Sequence, residues 1–152
     1  MMRIVLVAPQ IPPNTGSVGR MCAGNDIPLH LVEPLGFSLT DKYLKRAGLD
    51  YWPHIDLSVH SSFDEVCALF PTNPCWFFSA RAERTLWDVS FEGNELLVFG
   101  SETKGLPAGI VEDHKDRLLT IPHNDNIRSL NLATAVGIVT YEVFRQTRGD
   151  GR

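Results

Sequence analysis

Short apolar runs rich in β-branched residues alternate with helix-like segments along the 152-residue chain. Runs that are apolar at nearly every position are typical of parallel strands, because crossover helices bury both faces of a parallel sheet. Strands are predicted over residues 3–8, 29–32, 55–59, 75–79, 95–99 and 118–121. The alternation therefore predicts an α/β fold, a Rossmann-like, mostly parallel sheet with helices on both faces.

Helix signals lie between these runs. Helices are predicted over residues 17–25, over 42–47 with Asp41 as the cap, and from a Ser62-Phe63-Asp64-Glu65 capping box to Phe70. The last helix follows Asn131 as N-cap, and its apolar stripe contains Leu132, Val136, Val139 and Val143. No repeat or Pro/Gly/Ser-rich linker divides the chain, so we expect residues 1–152 to form a single domain.

Charge and cysteine content narrow the class of protein. The net charge is −4, with +1 on residues 1–51, −7 on 52–127 and +2 on 128–152. Basic ends allow a phosphate-binding face on an acidic protein.

The three cysteines contain no C-x-x-C pair, which argues against a disulfide framework or a thiolate zinc site. The early apolar run, residues 4–8, is too short for a membrane span or a signal peptide, so we expect a cytoplasmic protein without membrane association.

The first segment with chemistry in it is residues 9–20, PQIPPNTGSVGR. Its prolines fix φ and predict a rigid loop at the carboxyl end of the first strand, where open α/β sheets bind ligands. Asn14 could brace this loop through its amide. Arg20, predicted one turn into the next helix, could present its guanidinium to a carboxylate or phosphate. The alternative is a loop that only turns the chain.

The second segment is residues 97–107, LVFGSETKGLP. A buried strand runs into Gly100, polar residues and Gly105, so backbone groups are exposed where a small molecule can approach closely. The segment is not a phosphate-binding P-loop, because that motif needs Lys and Ser or Thr directly after its second glycine. A ligand loop and an ordinary strand-to-helix turn both fit these residues.

The third segment, residues 121–136, joins a short strand to the last helix. It places Ser129 and Asn131 beside a helix N-terminus, where unpaired N–H groups attract anions, although Asn131 could act only as a cap. Three such loops at one edge of a parallel sheet favour a shared ligand site more than any single loop does.

Together the three segments, with Asn14-x₅-Arg20 in the first, GSETKGLP in the second and RSLNLATAV in the third, resemble the signature motifs of the SPOUT superfamily. The resemblance is to its SpoU branch, which methylates ribose 2′-hydroxyls of RNA. Within that branch, IPPNTG, EPLGF and KRAGLDYW resemble the short enzymes that modify nucleotide 34, the wobble cytidine or modified uridine of leucine tRNAs.

The resemblance implies a deep C-terminal trefoil knot that holds the methyl donor S-adenosylmethionine and needs no metal. It assigns donor contacts to Phe78, Gly100, Ile121, Ser129 and Leu130. It assigns catalysis to Arg20, helped by Asn14, Glu102, Ser129 and Asn131. The resemblance implies that Arg20 accepts the hydroxyl proton. A guanidinium is a poor base, so the other role open to Arg20 is to stabilise the developing alkoxide or to bind the adjacent phosphate.

For RNA, the expected partner is the tRNA anticodon stem–loop. Candidate phosphate contacts are Lys42, Lys45, Arg46, Lys104, Arg145, Arg148 and Arg152, with Tyr51 and Trp52 as stacking platforms. The chain is too short for a separate RNA-binding domain, and the resemblance implies a homodimer formed partly by the first and last helices.

Three other interpretations compete with this one. The first, a donor-binding RNA chaperone without catalysis, is disfavoured by the presence of both Asn14 and Arg20. A flavodoxin-like ligand-binding module has a similar length and strand–helix alternation, but it would want acidic residues after strand one or a Ser/Thr-rich phosphate loop, and residues 9–13 supply neither. The nearer alternative keeps the chemistry and changes the target to another tRNA or ribosomal RNA nucleotide. Dialysis against flavin and methyl donor separates the binding module from the enzyme.

Overall fold

The computed structural model describes residues 1–148, except the side chains of Lys45 and of residues 47–50, and shows a six-stranded parallel sheet. The strands are β1 (Arg3–Val7), β2 (Leu29–Val32), β3 (Leu57–His60), β4 (Cys75–Phe78), β5 (Leu96–Phe99) and β6 (Leu118–Leu119), in the spatial order β3-β2-β1-β5-β4-β6. The predicted α/β class with a parallel sheet is confirmed.

Helices cover both faces of this sheet, as predicted. They are α1 (Pro12–Ala23), α2 (Lys42–Gly48), α3 (Phe63–Leu69), α4 (Ala108–Asp113) and α5 (Leu132–Thr147), with short 3₁₀ turns at Leu49–His54, Leu86–Asp88 and Lys115–Arg117. Side chains alternate along each strand, so Ile4 and Leu6 pack in one core cluster with α1 and α5, and Val5 and Val7 in another with α3 and α4. No described helix is both long and apolar enough to cross a bilayer.

The predicted helix caps are present. The Asn131 side chain accepts a hydrogen bond from the Thr134 N–H at 3.1 Å, and Asp41 accepts one from the Tyr43 N–H at 2.8 Å. Ser62 accepts from the Glu65 N–H, but the Glu65 carboxylate accepts from the N–H of Ser61 rather than that of Ser62. The second hydrogen bond of the capping box is therefore made to the residue before the N-cap rather than to the N-cap itself.

Several predicted boundaries are wrong by one or two residues, among them the end of β6 at Leu119 rather than residue 121, and the largest error is at the start of α1. Helix α1 begins at Pro12 rather than residue 17, because Pro at the first helical positions presets φ and sacrifices no hydrogen bond. The predicted long loop shrinks to residues 8–11, and Arg20 lies in the third turn of α1 rather than the first. Strand β3 begins at Leu57 rather than residue 55, since the Ile55 N–H bonds to the Trp52 carbonyl.

The end of β6 lies between two parts of the β4–β5 connection. On one side the Ser79 N–H donates to the Leu119 carbonyl at 2.9 Å. On the other the Thr120 N–H donates to the Arg84 carbonyl at 2.8 Å, and the Leu86 N–H donates to the Thr120 carbonyl at 3.0 Å. Residue 79 and residues 84–86 of the β4–β5 connection therefore lie on opposite sides of residues 119–120. After residue 120 the chain continues to α5.

His30 on β2 and His60 on β3 form a buried pair in the half of the sheet that lies beyond β1 from β6. His30 Nε2 is 3.4 Å from the Arg3 guanidinium, which can only donate, so the His30 Nδ1–H donates to His60 Nε2 at 2.9 Å. Burial, followed by the electrostatic influence of His60 and Arg3, lowers the pKa of His30 from 6.5 to about 4.

We expect this pair to make stability fall with acid. The unfolded His30 binds a proton near its ordinary pKa of 6.5, whereas the folded one resists it down to about 4. The free energy of unfolding should therefore fall by about 1–3 kcal/mol as the pH drops through that interval. Urea denaturation at both ends of the interval measures it. His30→Gln should flatten the dependence and His54→Gln, at an exposed site, should not; equal slopes in all three proteins would contradict the assignment.

Candidate active site

An open cavity of about 1380 Å³ lies at the carboxyl edge of β1, β4, β5 and β6. All three segments singled out in the sequence contribute residues to its wall. The first segment contributes Asn14, the second Glu102, and the third Ser129 and Asn131. Parallel strands bring their carboxyl ends to one edge, which explains why loops distant in sequence meet here.

Glu102 anchors the turn after β1. Its carboxylate accepts hydrogen bonds from the N–H groups of Gln10 and Ile11, each at 2.8 Å, and from the Asn14 amide at 3.2 Å. An ionised carboxylate is an acceptor only, so three donors satisfy it well. The second segment thereby fixes the position of the first.

Asn14 passes this connection on to α5. Its amide nitrogen donates to Glu102, so its oxygen is free to accept the Asn131 amide at 3.0 Å. The Asn131 oxygen in turn accepts the Thr134 N–H and caps α5. The chain of contacts Glu102–Asn14–Asn131, called the amide relay below, has a single donor–acceptor direction and links all three segments.

A tight turn forms the floor beside the relay. Ser101 and Gly105 exchange two backbone hydrogen bonds of 3.1 and 2.9 Å, and Gly105 has φ of +68°. A Cβ on Gly100 would lie 2.0 Å from the Gly105 carbonyl carbon and 2.1 Å from the Leu106 nitrogen. Only glycine at position 100 therefore allows this turn to close.

We expect Gly100→Ala to open the turn and move the cavity wall. Overpacking of this kind costs about 1–3 kcal/mol of stability and should also weaken methyl-donor binding at least tenfold, which thermal unfolding and calorimetry measure. Gly109→Ala is the matched control, because a Cβ there meets nothing within 4 Å. If both alanine variants bind the donor equally well, the turn does not shape the donor pocket.

The residues predicted to contact the methyl donor lie together. Each of them lines the cavity: Phe78, Gly100, Ile121, Ser129 and Leu130. The Phe78 ring stacks on Phe99 with centroids 4.8 Å apart, which gives the pocket a flat apolar wall beside exposed backbone groups.

Arg20 does not line the cavity of its own chain. It is exposed on α1, and its guanidinium lies 5.0 Å from the centre of the Tyr51 ring. The structure therefore brings four of the five predicted catalytic residues to the cavity wall and leaves the fifth on the outer face of α1.

The basic residues predicted to contact RNA are dispersed. Lys104 lines the cavity, whereas Lys42 and Arg46 are exposed on α2, and Arg145 on α5 is paired with Glu142 at 2.8 Å. The guanidinium of Arg148 lies over the Phe144 ring at 3.7 Å. The Lys45 side chain and Arg152 lie outside the described residues. Of the two aromatics, Tyr51 is exposed and Trp52 is half-buried.

Sequence reasoning gave no role to several cavity residues. Arg81 follows β4, Arg128 precedes Ser129, and Asp125 lies in the same loop; all three line the cavity. Arg81 lies between the motifs and carries no local signal. Arg128 was within the third segment, and its position beside Ser129 was the available clue. Within residues 1–148, no cluster of three or more His, Cys, Asp or Glu could hold a metal ion.

The fold and the cavity together define a class. The chain belongs to the SpoU rRNA methylase family, whose model matches residues 1–141. The resemblance inferred from the three segments is thereby confirmed, and the flavodoxin-like alternative is set aside.

Individual relatives are similar over nearly their full length. A protein of Burkholderia ambifaria named tRNA (cytidine(34)-2′-O)-methyltransferase is 41% identical over 154 residues, which is 99% of both chains. A protein of Synechocystis sp. is 46% identical over 99% of this chain and 100% of its own. Its name gives the same activity and marks that activity as inferred. A solved structure described as giving insights into the 2-OH methylation of C/U34 on tRNA is 46% identical, with a TM-score of 0.90 over 96% of this chain and 95% of that one.

Proposed function

We propose that this protein transfers a methyl group from S-adenosylmethionine to the ribose 2′-oxygen of nucleotide 34 of tRNA, a cytidine or modified uridine, in leucine isoacceptors. The observation that carries the proposal is the amide relay, because it joins Glu102, Asn14 and Asn131 around one cavity. The names of close relatives supply the substrate class. The reaction would take place in the cytoplasm, with the anticodon stem–loop as the RNA partner.

The cavity suits an adenosyl donor. The stacked rings of Phe78 and Phe99 offer an apolar face, and the Gly100 turn offers backbone groups at close range. Phe78, Gly100, Ile121, Ser129 and Leu130 would hold the donor, whose sulfonium supplies the methyl group.

Alignment supplies most of the catalysis. Methyl transfer is an in-line displacement, so sulfur, carbon and oxygen must be collinear, and correct positioning can contribute about 7–11 kcal/mol. The amide relay fixes three loops relative to one another, so that the Ser129 and Asn131 side chains are held beside the donor-binding residues. Their polar groups would orient the ribose hydroxyl.

As the O–C bond forms, the S–C bond of the donor breaks and the 2′-hydroxyl proton passes to water, so negative charge develops on the 2′-oxygen. That charge needs a cation, and Arg20 is the predicted one. Arg20 does not line the cavity of its own chain, and a second copy would supply the missing guanidinium. We therefore propose a homodimer in which each site is completed by Arg20 of the other chain.

Exposed apolar side chains on α5 support such a dimer. Ile138 is 40% exposed and Tyr141 57% exposed on this helix, which packs beside α1 in the same core cluster. Burial of large apolar side chains is the main source of stability in obligate interfaces. Pairing through α1 and α5 would also bring the outer face of α1, with Arg20, toward a neighbouring chain.

The path of the chain supports the proposed trefoil knot. Leu119 and Thr120 hydrogen-bond to Ser79 on one flank and to Arg84 and Leu86 on the other, before the chain turns back to α5. Threading of β6 through the β4–β5 connection would build the donor-binding crevice from loops that cannot separate without unfolding. Knots are rare in protein folds, so the family resemblance is part of the support.

Nucleoside mass spectrometry tests the proposed function. The purified protein is incubated with S-adenosylmethionine and leucine tRNA transcripts, and tRNA from a deletion strain is analysed in parallel. We expect a 2′-O-methyl group on nucleotide 34 in the first and its loss in the second. An unchanged tRNA profile with a missing ribosomal mark would favour the ribosomal RNA alternative, to which the family's name also points.

A further inference from the structure

Three exposed cations line the cavity, and none of them forms an ion pair in the described part of the chain. Arg81, Lys104 and Arg128 are exposed, line the cavity and come from three different loops. We call them the cationic rim. Within residues 1–148, the ion pairs are Lys115–Glu112 and Arg145–Glu142, and neither includes a member of the rim.

The acidic residues of the cavity lining do not fully cancel the charge of the rim. Glu102 is occupied by three N–H donors, and Glu112 is paired with Lys115 at 2.9 Å. Asp125 is the remaining carboxylate of the lining. With Glu112 counted together with Lys115, the three rim cations outnumber Glu102 and Asp125, so the cavity lining is net positive although residues 52–127 carry a net charge of −7.

Local hydrogen bonds hold two members of the rim on ordered turns. The Lys104 N–H donates to Ser101 Oγ at 3.1 Å, and the Arg81 N–H donates to Ser79 Oγ at 3.3 Å. A cation on a fixed turn loses less conformational entropy when it binds than one on a mobile loop.

The methyl donor does not explain this charge. S-adenosylmethionine carries a sulfonium, an ammonium and one carboxylate, so its net charge is positive and three further cations would repel it. A single-stranded RNA loop, by contrast, carries one phosphate per nucleotide, and phosphate contacts supply a large share of the affinity of nucleic-acid-binding surfaces.

We propose that Arg81, Lys104 and Arg128 bind the phosphodiesters that flank the target nucleotide and so hold its ribose over the cavity. This inference rests on the proposed function, since it takes RNA as the substrate. Arg81 and Arg128 become RNA-binding residues by this assignment, and Lys104 is placed with them rather than with the lysines of α2.

Salt-dependent binding tests the rim. The ligand is an anticodon stem–loop RNA with cytidine at position 34, and the proteins are wild type, Arg81→Gln, Lys104→Gln, Arg128→Gln, the triple variant and Lys115→Gln as the ion-paired control. Each rim variant should weaken RNA binding about three- to tenfold and reduce the slope of log K against log salt by about 0.7. Lys115→Gln should keep the wild-type slope, and S-adenosylmethionine affinity should change less than about twofold in all of them.

A wild-type slope in the triple variant would overturn the proposal, as would a loss of donor affinity as large as the loss of RNA affinity. The two proposals fail separately. If the RNA binds with a rim-dependent slope but nucleotide 34 stays unmethylated, the rim stands and the proposed function fails. If nucleotide 34 is methylated but the slope does not depend on the rim, the proposed function stands and the rim fails.

Discussion

Arg20→Ala is expected to lower turnover about 100- to 1000-fold while methyl-donor affinity changes less than about twofold. In the proposed role the guanidinium stabilises charge that exists only in the transition state, and Arg20 does not line the cavity of its own chain, where the residues proposed to bind the donor lie. Single-turnover methylation and calorimetry with S-adenosylmethionine measure the two quantities. A loss of donor affinity equal to the loss of rate would contradict this role.

Mixing two inactive variants shows from which chain Arg20 acts. In a heterodimer of Arg20→Ala and Asn131→Ala chains, one site combines intact Asn131 with intact Arg20 of the other chain, if the arginine acts across the interface. Refolded or co-expressed mixtures should then regain about a quarter of wild-type activity, because half of the dimers contain one complete site.

The matched control mixes Asn14→Ala with Asn131→Ala. Both residues belong to the amide relay within one chain, so neither site of that heterodimer is complete and no activity should return. If the Arg20→Ala and Asn131→Ala mixture also stays inactive although heterodimers form, Arg20 does not act from the second copy. Arg20 would then have to reach the cavity of its own chain, which requires α1 or its neighbours to move.

Local patterns predicted the sheet and the last helix well. The apolar runs determined strand identity because a fully buried parallel strand leaves no polar face, and Asn131 marked the start of α5 because its side chain is an efficient cap. The start of α1 was missed since three prolines are typical of a loop, yet Pro12 and Pro13 occupy the helical positions that tolerate proline.

The site was predictable in its members but not in its connections. The carboxyl edge of a parallel sheet explains why Asn14, Glu102 and Asn131 could be expected near one another. Which amide donates to which oxygen depends on side-chain orientation, and no sequence pattern contains that. Lys104 was predicted as an RNA contact, but Arg81 and Arg128 were missed for a related reason, because each loop contributes one member of the rim and only the fold brings the three to one cavity.

The direction of the amide relay makes a sharp prediction about Glu102 and Asn14. Glu102→Gln places an amide among N–H donors, and Asn14→Asp places a second carboxylate beside Glu102, whose present contact with the Asn14 amide is 3.2 Å. Each change removes a charge-assisted hydrogen bond and lets the first loop shift. Since displacement of about 1 Å can cost about 100-fold in rate, each single variant should lose kcat on that scale.

The double variant Asn14→Asp with Glu102→Gln reverses donor and acceptor, so the new amide donates to the new carboxylate, which still accepts the Asn131 amide. Its kcat should exceed that of Asn14→Asp alone by about tenfold, although the Gln10 and Ile11 N–H groups regain only part of their acceptor. Glu112→Gln, a cavity carboxylate paired with Lys115, is the control and should keep the wild-type kcat. If the losses of kcat in the two single variants simply add in the double variant, Glu102 takes part in proton transfer or folding rather than in positioning. Neither of those roles can be restored by exchanging donor and acceptor between positions 14 and 102.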